Sequence, residues 1–227
     1  MQSTKEKRLE YKRRCRYRQL WGLTSLVSVL SVLCNIISCK VSPLYNTNYT
    51  LSLSAVIYVG VFFVINFISE FHSKSQSYYT VYVSFLCQIA ASVVMLVCNA
   101  LPADDLDISN ALRIVTSHNF AFLLGSLAAY TVSIIIDLMV YDCFRITNVS
   151  SGIASALSLI VSQAVNTMIF TIIGYGVAFN WIFDGGDFWD RCGQLFMGQY
   201  IVKLILIAVL SPVFSAICGW YKEYLSN

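Results

Sequence analysis

Residues 132–141 (VSIIIDLMVY) and residues 161–170 (VSQAVNTMIF) decide how this chain folds, because the second stretch repeats the polar pattern of the first. Both are apolar enough to lie in a bilayer, yet each carries a serine followed four residues later by a carboxylate or a carboxamide. The polar pairs are Ser133 with Asp137 and Ser162 with Asn166. This spacing places both groups of a pair on one face of a helix. Polar groups at membrane depth usually face a cavity or a pathway, so the repeat predicts the helices of a carrier.

The composition of the whole chain is that of a membrane protein. It has 57% hydrophobic and only 12% charged residues, whereas a soluble domain carries about 25% charged residues. Six apolar stretches have roughly the 20 residues that a helix needs to cross the hydrocarbon. They are 20–39, 51–69, 78–101, 117–141, 151–181 and 195–220. We therefore predict an all-α polytopic membrane protein, a bundle of six transmembrane helices. The fifth helix is long and is expected to tilt, or to bend near Gly174 and Gly176.

The distribution of charge predicts the orientation of the bundle. Eight of the fifteen basic residues precede the first span, and such positive flanks usually stay in the cytoplasm. With six spans, both termini are then cytoplasmic. Asp104 and Asp184 fall on connections predicted to be external, whereas Lys74 and Arg145 fall on internal ones. The predicted parts are a basic cytoplasmic arm at 1–19, a six-helix transporter domain at 20–221 and a short cytoplasmic tail at 222–227.

The sequence offers little for catalysis or for a resident metal. Most of the eight cysteines lie inside the spans and none forms a C-x-x-C pair, so neither a disulfide framework nor a metal site is expected. His72 and His118 are isolated, and the chain has no glycine-rich phosphate loop. We therefore expect no cofactor, no metal and no enzymatic activity. The basic arm is expected to set the topology and to contact lipid rather than nucleic acid.

The polar side chains inside the spans are the candidate substrate-binding residues. In the fourth span they form a continuous stripe on one helix face, and the fifth span repeats it. The amides are hard to explain by packing alone, because each carries donors and acceptors that need partners. The candidates are Asn35 in the first span, Asn66 and Glu70 in the second, Ser126, Tyr130, Ser133 and Asp137 in the fourth, Ser162, Gln163, Asn166 and Phe170 in the fifth, and Gln199 and Lys203 in the sixth.

Lys203 lies too deep in the sixth span for its ammonium group to reach the membrane surface easily. We therefore expect it to pair with a carboxylate, and Asp137 and Glu70 are the available ones. A purely structural ion pair is the alternative to a substrate role. Packing between helices is likewise the alternative for Ser126 and Ser155, since small residues commonly line helix interfaces in membranes.

These residues together resemble the bacterial queuosine precursor transporters, a family related in pattern to vitamin uptake transporters. The resemblance covers most of the chain beyond the basic arm and is strongest over 120–212. It implies a six-helix carrier in the bacterial inner membrane for 7-deazaguanine bases, small molecules used in transfer RNA modification. The implied bases are queuine, 7-cyano-7-deazaguanine and 7-aminomethyl-7-deazaguanine. The residues that carry it are Ser126, Tyr130, Ser133 and Asp137, then Ser158, Ser162, Gln163, Asn166 and Phe170, then Gln199, Tyr200, Lys203 and Pro212, with Asn35, Lys40, Asn66 and Glu70 in the first two spans.

The chain departs from that family at two positions that are usually acidic, where it has Asn66 and Asn166. The preferred base is therefore left open among the deazaguanines. In the implied site, Asp137 anchors the base, Gln163 and Asn166 read its edge, and Lys203 sets the charge of Asp137. Aromatic stacking on a base is worth about 1–3 kcal/mol. The rings expected to stack are Tyr130, Tyr200 and Phe170.

Two other functions fit the same pattern of helices. One is a substrate-binding subunit of an energy-coupling-factor importer for vitamins or nucleobases, which would need a separate ATPase module. The other is a membrane protein that transports nothing, such as an assembly factor. The sequence leaves open the energy source and whether the chain forms homo-oligomers.

Overall fold

The apolar stretches fold into long helices because a helix satisfies its own backbone hydrogen bonds inside a bilayer. The computed structural model describes residues 2–44, 47–102, 104–182 and 187–226. Six helical segments in these ranges are long and apolar enough to cross a membrane, which confirms the predicted all-α bundle. The helices are α1 (Gln2–Ile37), α2 (Ser54–Phe71), α3 (Lys74–Ala100), α4 (Leu106–Ile146), α5 (Ser151–Phe170), α6 (Gly176–Ala178) and α7 (Phe188–Ser226).

Three helices begin at residues whose side chains cap them. Ser73 accepts a hydrogen bond from the Gln76 amide before α3, and Ser150 accepts one from the Ile153 amide before α5. Asp105 accepts from two amides at the start of α4, one of them 2.9 Å away. Such caps satisfy amides that a helix leaves unpaired in its first turn. The capping residues in the local sequence therefore help to determine where these helices begin.

The bundle exposes many large apolar side chains and buries many polar ones beside an apolar core. On α7, Lys203 is buried, whereas Ile205, Val209, Val213 and Ile217 are 47–60% exposed along the opposite face. A soluble domain would hide such a stripe of large apolar side chains. Such an apolar stripe is stable in contact with lipid tails. With six spans, the protein is therefore a multi-pass membrane protein.

The ends of the bundle contain structure that the sequence patterns did not predict. Helix α1 begins at Gln2, so the basic arm continues the first span as one helix. After α1, strand β1 (Val41–Pro43) pairs antiparallel with β2 (Thr50–Ser52), and Val41 lies opposite Ser52. Asp184, expected on an external connection, lies outside the described residues.

The fifth span changes its helical geometry where a bend was expected. Residues Thr171–Tyr175 form a π-helical turn between α5 and α6. There the backbone packs tightly on α4, since a Cβ atom on Gly125 would come within 2.6 Å of the Gly174 Cα atom. The extra residue of a π turn is a common feature of functional helices. At this turn, Gly125 and Gly174 are in backbone contact.

The start of the first span and the end of the sixth lie at the same end of the bundle. A guanidinium nitrogen of Arg16 on α1 donates to the carbonyl of Phe71, at the end of α2, over 2.6 Å. The Tyr221 hydroxyl on α7 donates to Gln19 on α1. His72 also lies at this end, and burial, assisted by the positive charge of Arg16, lowers its pKa. This arrangement means that the chain crosses the bundle an even number of times.

Candidate functional site

The repeated polar faces of α4 and α5 meet in the interior of the bundle and are joined there by α2. We call this group the central polar cluster. All its members are at most 4% exposed. Its members are Asn66 on α2, Ser133 and Asp137 on α4, and Ser155, Ser158, Ser162, Gln163 and Asn166 on α5.

Hydrogen bonds between these helices fix the geometry of the central polar cluster. The Ser162 hydroxyl donates to Asp137 Oδ1 over 3.2 Å, and the Asn166 amide donates to Ser133 Oγ over 3.1 Å. Each bond thus joins one copy of the repeated motif to the other. The Asn66 amide donates to Ser155 Oγ over 2.9 Å. The position where the resembled family usually has a carboxylate therefore lies beside the α4–α5 contact.

Several buried polar atoms of this cluster have no hydrogen-bond partner in the part of the chain that the structure describes. They are Asp137 Oδ2, Asn66 Oδ1 and both terminal atoms of Gln163. Leaving a buried donor or acceptor unpaired costs about 1–3 kcal/mol, and more for a charged group. So many at one depth of a bundle make this cluster the candidate site for a bound polar molecule or water.

Within the described ranges Lys203 pairs with no carboxylate, and the expected ion pair with Asp137 or Glu70 is wrong. Lys203 is 2% exposed, and its ammonium group donates to Thr167 Oγ1 over 2.9 Å. Thr167 lies one turn after Gln163 on α5, and its hydroxyl donates to the Gln163 carbonyl. Lys203 therefore contacts α5 beside Gln163 and does not set the charge of Asp137 by direct contact. Gln199, one turn earlier on α7, is also buried, and its Nε2 is unpartnered among the described residues.

Two of the three predicted stacking rings lie inside the bundle, and the third does not. Tyr130 contacts Phe62 and Phe85 edge-on, with ring centres 5.4 and 5.3 Å apart. Phe170 packs 6.4 Å from Tyr58, a ring the sequence analysis did not single out. Tyr200 instead stacks on Phe196 and donates to the Ile160 carbonyl near the surface. Its expected role in stacking is thus not supported by its position.

Asn35 and Ser126 lie in a second polar group, between α1, α3 and α4. We call it the outer amide cluster, since it lies nearer the ends of α1 and α3 that face the hairpin. The Asn35 amide donates to Gln88 Oε1 over 2.8 Å, and Ser126 donates to the same oxygen over 3.3 Å. The Asn119 amide donates to Ser92 Oγ over 3.0 Å. The cluster comprises Asn35, Gln88, Ser92, Asn119 and Ser126.

Sequence reasoning missed Gln88, Ser92 and Asn119, although a signal for them exists. Gln88 and Ser92 are four residues apart on α3, the same spacing as in the repeated motif. Asn119 lies seven residues before Ser126 and extends the polar stripe of α4 by two turns. The third span therefore also carries a polar face, which helical periodicity could have found.

Glu70 lies at the end of the bundle and belongs to an ion-pair network. Its carboxylate accepts from the Tyr141 hydroxyl over 2.6 Å, from Arg145 over 3.1 Å and from Lys222 over 2.8 Å. This terminal network joins α2, α4 and α7. Nearby, Lys74 pairs with Asp142 and joins α3 to α4. Glu70 thus makes its contacts within this terminal network, which indicates a structural role.

The comparisons with known proteins give one family. A family model described as "putative vitamin uptake transporter" matches residues 52–217. That range contains α2 to α5 whole and most of α7, and with them the central polar cluster. No curated protein and no solved structure matches the chain.

Proposed function

This chain belongs to the vitamin uptake transporter family, and we propose that it imports a 7-deazaguanine base for queuosine synthesis in transfer RNA. The observation that carries the proposal is the set of unpartnered polar atoms in the central polar cluster. Transport of a small polar molecule is what such a buried site in a membrane bundle serves. The donors and acceptors of the central polar cluster indicate which molecule it would bind.

The polar atoms of the cluster complement the edge of a deazaguanine. The base presents a ring N–H and an exocyclic amine as donors and an amide oxygen as acceptor. Asp137 Oδ2 and Asn66 Oδ1 are free acceptors for the two donors. The Gln163 amide offers a donor for the base oxygen and one more acceptor. Tyr58, Tyr130 and Phe170 add flat apolar surface beside the cluster, although stacking would require the bundle to open between them.

The test is to supply each base separately to a bacterium that lacks its own importer and its own synthesis of queuosine precursors. The host expresses this chain and receives queuine, 7-cyano-7-deazaguanine or 7-aminomethyl-7-deazaguanine. Queuosine in its transfer RNA is then measured. We expect at least one base to restore the modification at external concentrations at which the empty host makes none.

A control shows whether the host can convert each base to queuosine. In it the base enters the cell at high external concentration or through an importer already known to carry it. If the modification returns by that route but not with this chain in the membrane, the proposed substrate is wrong. A radiolabelled base accumulated without conversion would support the transport step alone.

The orientation is proposed from charge, with both termini in the cytoplasm of a bacterial inner membrane. The shared end of the bundle, which carries Arg16 and Lys222, would then face inward. Single cysteines introduced at Asp104 and at Ser75 probe the two ends with a membrane-impermeant thiol reagent. In intact cells we expect labelling at position 104 and none at position 75, and the reverse pattern would contradict the orientation.

A further inference from the structure

A polar cavity opens at the shared end of the bundle, where the first span meets the connection between α2 and α3. Its volume is about 220 Å³, many times the roughly 10–15 Å³ that one water molecule needs. Its lining residues are Arg16, Tyr17, His72 and Gln76. None of these side chains carries a negative charge, and none belongs to the central polar cluster. The cavity is therefore a separate candidate site with a positive lining.

The lining presents hydrogen-bond donors that the protein itself does not use. One guanidinium nitrogen of Arg16 donates to the Phe71 carbonyl over 2.6 Å, and a guanidinium group has five N–H donors. His72 Nε2 is buried and has no partner in the part of the chain that the structure describes. In the tautomer that carries its proton on Nε2, the imidazole is a second donor, and the Gln76 amide is a third. A ligand with several acceptor oxygens would satisfy all three.

The electrostatic surroundings of the cavity also favour an anion. His72 and Gln76 lie on either side of the first turn of α3, a helix of 27 residues. The N-terminus of a helix carries a partial positive charge that attracts anions. Arg18 is exposed on α1 at the same end of the bundle. The carboxylate of Asp142 does not oppose these charges, because it is already paired with Lys74.

Exposed aromatic side chains place the cavity at the depth of the lipid headgroups. Tyr17 and Trp21 on α1 are 54% and 59% exposed, and Tyr78 on α3 is 44% exposed. Tyrosine and tryptophan collect where the headgroups meet the hydrocarbon. Further into the membrane, Thr24 on α1 and Thr80 on α3 are hydrogen-bonded over 2.9 Å. A lipid whose headgroup enters the cavity therefore has two adjacent helices beneath it for its acyl chains.

We propose that this cavity binds the phosphate group of an anionic phospholipid, held by Arg16, His72 and Gln76. A phosphate oxygen accepts strong, charge-assisted hydrogen bonds from a guanidinium group. A soluble phosphate compound has the same oxygens, but the depth of the cavity favours a lipid. A zwitterionic lipid binds less well, because its cationic headgroup is repelled by the positive lining. The bound lipid joins α1 to the connection between α2 and α3, and its binding does not depend on which substrate is transported.

The first experiment measures lipid retention by native mass spectrometry. The purified full-length protein is mixed with equal amounts of dioleoylphosphatidylglycerol and dioleoylphosphatidylcholine in detergent micelles. We expect one phosphatidylglycerol to be retained at least fivefold over phosphatidylcholine, which corresponds to about 1 kcal/mol. In a second arm, radioactive inorganic phosphate is offered to the protein in phosphatidylcholine micelles. We expect no saturable binding of phosphate at millimolar concentration.

The variants separate the cavity from the general charge of the basic arm. Arg16→Gln should lower the preference for phosphatidylglycerol at least fivefold, to nearly equal retention of the two lipids. Arg18→Gln removes the same charge at an exposed position of α1 that does not line the cavity, and it should keep most of the preference. Arg16→Gln also loses the bond to Phe71 and with it some stability of the fold. His72→Phe is therefore the second variant, since it keeps a ring but removes Nε2, and it should lower the preference at least twofold.

Equal retention of the two lipids by the wild type would overturn the proposal. So would an equal loss of preference in Arg16→Gln and Arg18→Gln, because the charge of the whole arm would then select the lipid. If Arg16→Gln does not fold, an unchanged preference in His72→Phe would have the same meaning. Saturable phosphate binding without a preference for phosphatidylglycerol would assign the cavity to a soluble phosphate compound and exclude the lipid.

Discussion

At the scale of single residues, Asp137 and Gln163 are the main candidates for contact with a substrate. Asp137 is fully buried, and its Oδ1 accepts a hydrogen bond from Ser162. Ser158 and Asn66 also lie near the carboxylate, but its Oδ2 has no hydrogen-bond partner in the described part of the chain. Gln163 is fully buried with both terminal atoms unpartnered there. Residues kept only for stability would be better replaced by apolar ones, since unpaired polar atoms destabilise the fold.

We expect Asp137→Ala and Gln163→Leu each to abolish or strongly reduce uptake while the protein stays in the membrane. Loss of a hydrogen bond to a charged partner costs about 1.5–3 kcal/mol, or roughly 10- to 150-fold in affinity. Uptake and membrane abundance are measured together. Asp107→Ala, at an exposed position of the same helix, is the matched control. Wild-type uptake by a well-expressed Asp137→Ala variant would refute the site.

A substitution at Lys203 tests whether this buried lysine belongs to an ion pair or lacks a counter-ion. Removing one partner of a buried ion pair lowers the stability of the fold by about 3–5 kcal/mol. Replacing a buried charge that has no counter-ion by an apolar group is often neutral or stabilising. Because the Thr167 hydroxyl is the one hydrogen-bond partner that Lys203 has in the described part of the chain, we expect Lys203→Met to unfold at the same temperature as the wild type or higher. Thermal unfolding in detergent measures this.

Lys222 is the matched control for that substitution. It is half-exposed and pairs with Glu70, so Lys222→Met should cost up to about 1 kcal/mol. A loss of several kcal/mol in Lys203→Met would show that a carboxylate does stabilise the ammonium group.

At the scale of the helices, backbone contact at Gly125 positions the α4–α5 pair. The added Cβ atom of Gly125→Ala would lie 2.6 Å from the Gly174 Cα atom, so the helices must separate. Overpacking of this kind costs about 1–3 kcal/mol. We expect a lower unfolding temperature and weaker uptake, because Ser133 and Asp137 lie on the same helix.

Gly22→Ala is the matched control for Gly125→Ala. Nothing lies within 4 Å of a Cβ atom at Gly22. Alanine there should be neutral or stabilise α1 by up to about 1 kcal/mol, because alanine has the higher helix propensity. Equal behaviour of the two variants would mean that the α4–α5 contact tolerates a methyl group.

At the scale of the whole molecule, the central polar cluster is closed off at both ends. On the hairpin side, β2 packs so closely on α7 that a Cβ atom at Gly198 would overlap the Thr50 carbonyl oxygen. Tyr175 donates to the Ser38 carbonyl at the same end. On the other side, the terminal network around Glu70 joins α2, α4 and α7. A carrier must open one of these closures at a time.

We expect Glu70→Ala to loosen the end of the bundle that carries the terminal network. Cys218 is fully buried close to Glu70, Arg145 and Lys222, so it reports on this closure. In a variant that retains Cys218 as its only cysteine, reaction with a thiol reagent should be slow. Adding Glu70→Ala should speed it at least tenfold, because three donors on two helices lose their common acceptor. An unchanged rate would show that packing alone keeps this end closed.

The sequence by itself determined the class of the fold and the polar faces of α4 and α5. The length of an apolar stretch and the spacing of its polar residues are local properties, and a bilayer forces such stretches to be helical. The six spans and the irregularity of the fifth span follow from them, whereas α3 begins at Lys74 instead of residue 78 and α4 at Leu106 instead of residue 117. The repeat also indicated which sides of α4 and α5 are polar, and the structure places those sides against each other.

Only the tertiary structure decided which helices face one another. Helical periodicity gives a face but not its neighbour, so Lys203 was expected beside Asp137 and lies beside Thr167. Glu70 likewise found its partners in two helices distant in sequence, and the amide of Asn35 found Gln88. The physical reason is that pairing in a bilayer depends on close packing of small residues and on polar contacts between helices. These are properties of pairs of helices, and no single stretch of sequence contains them.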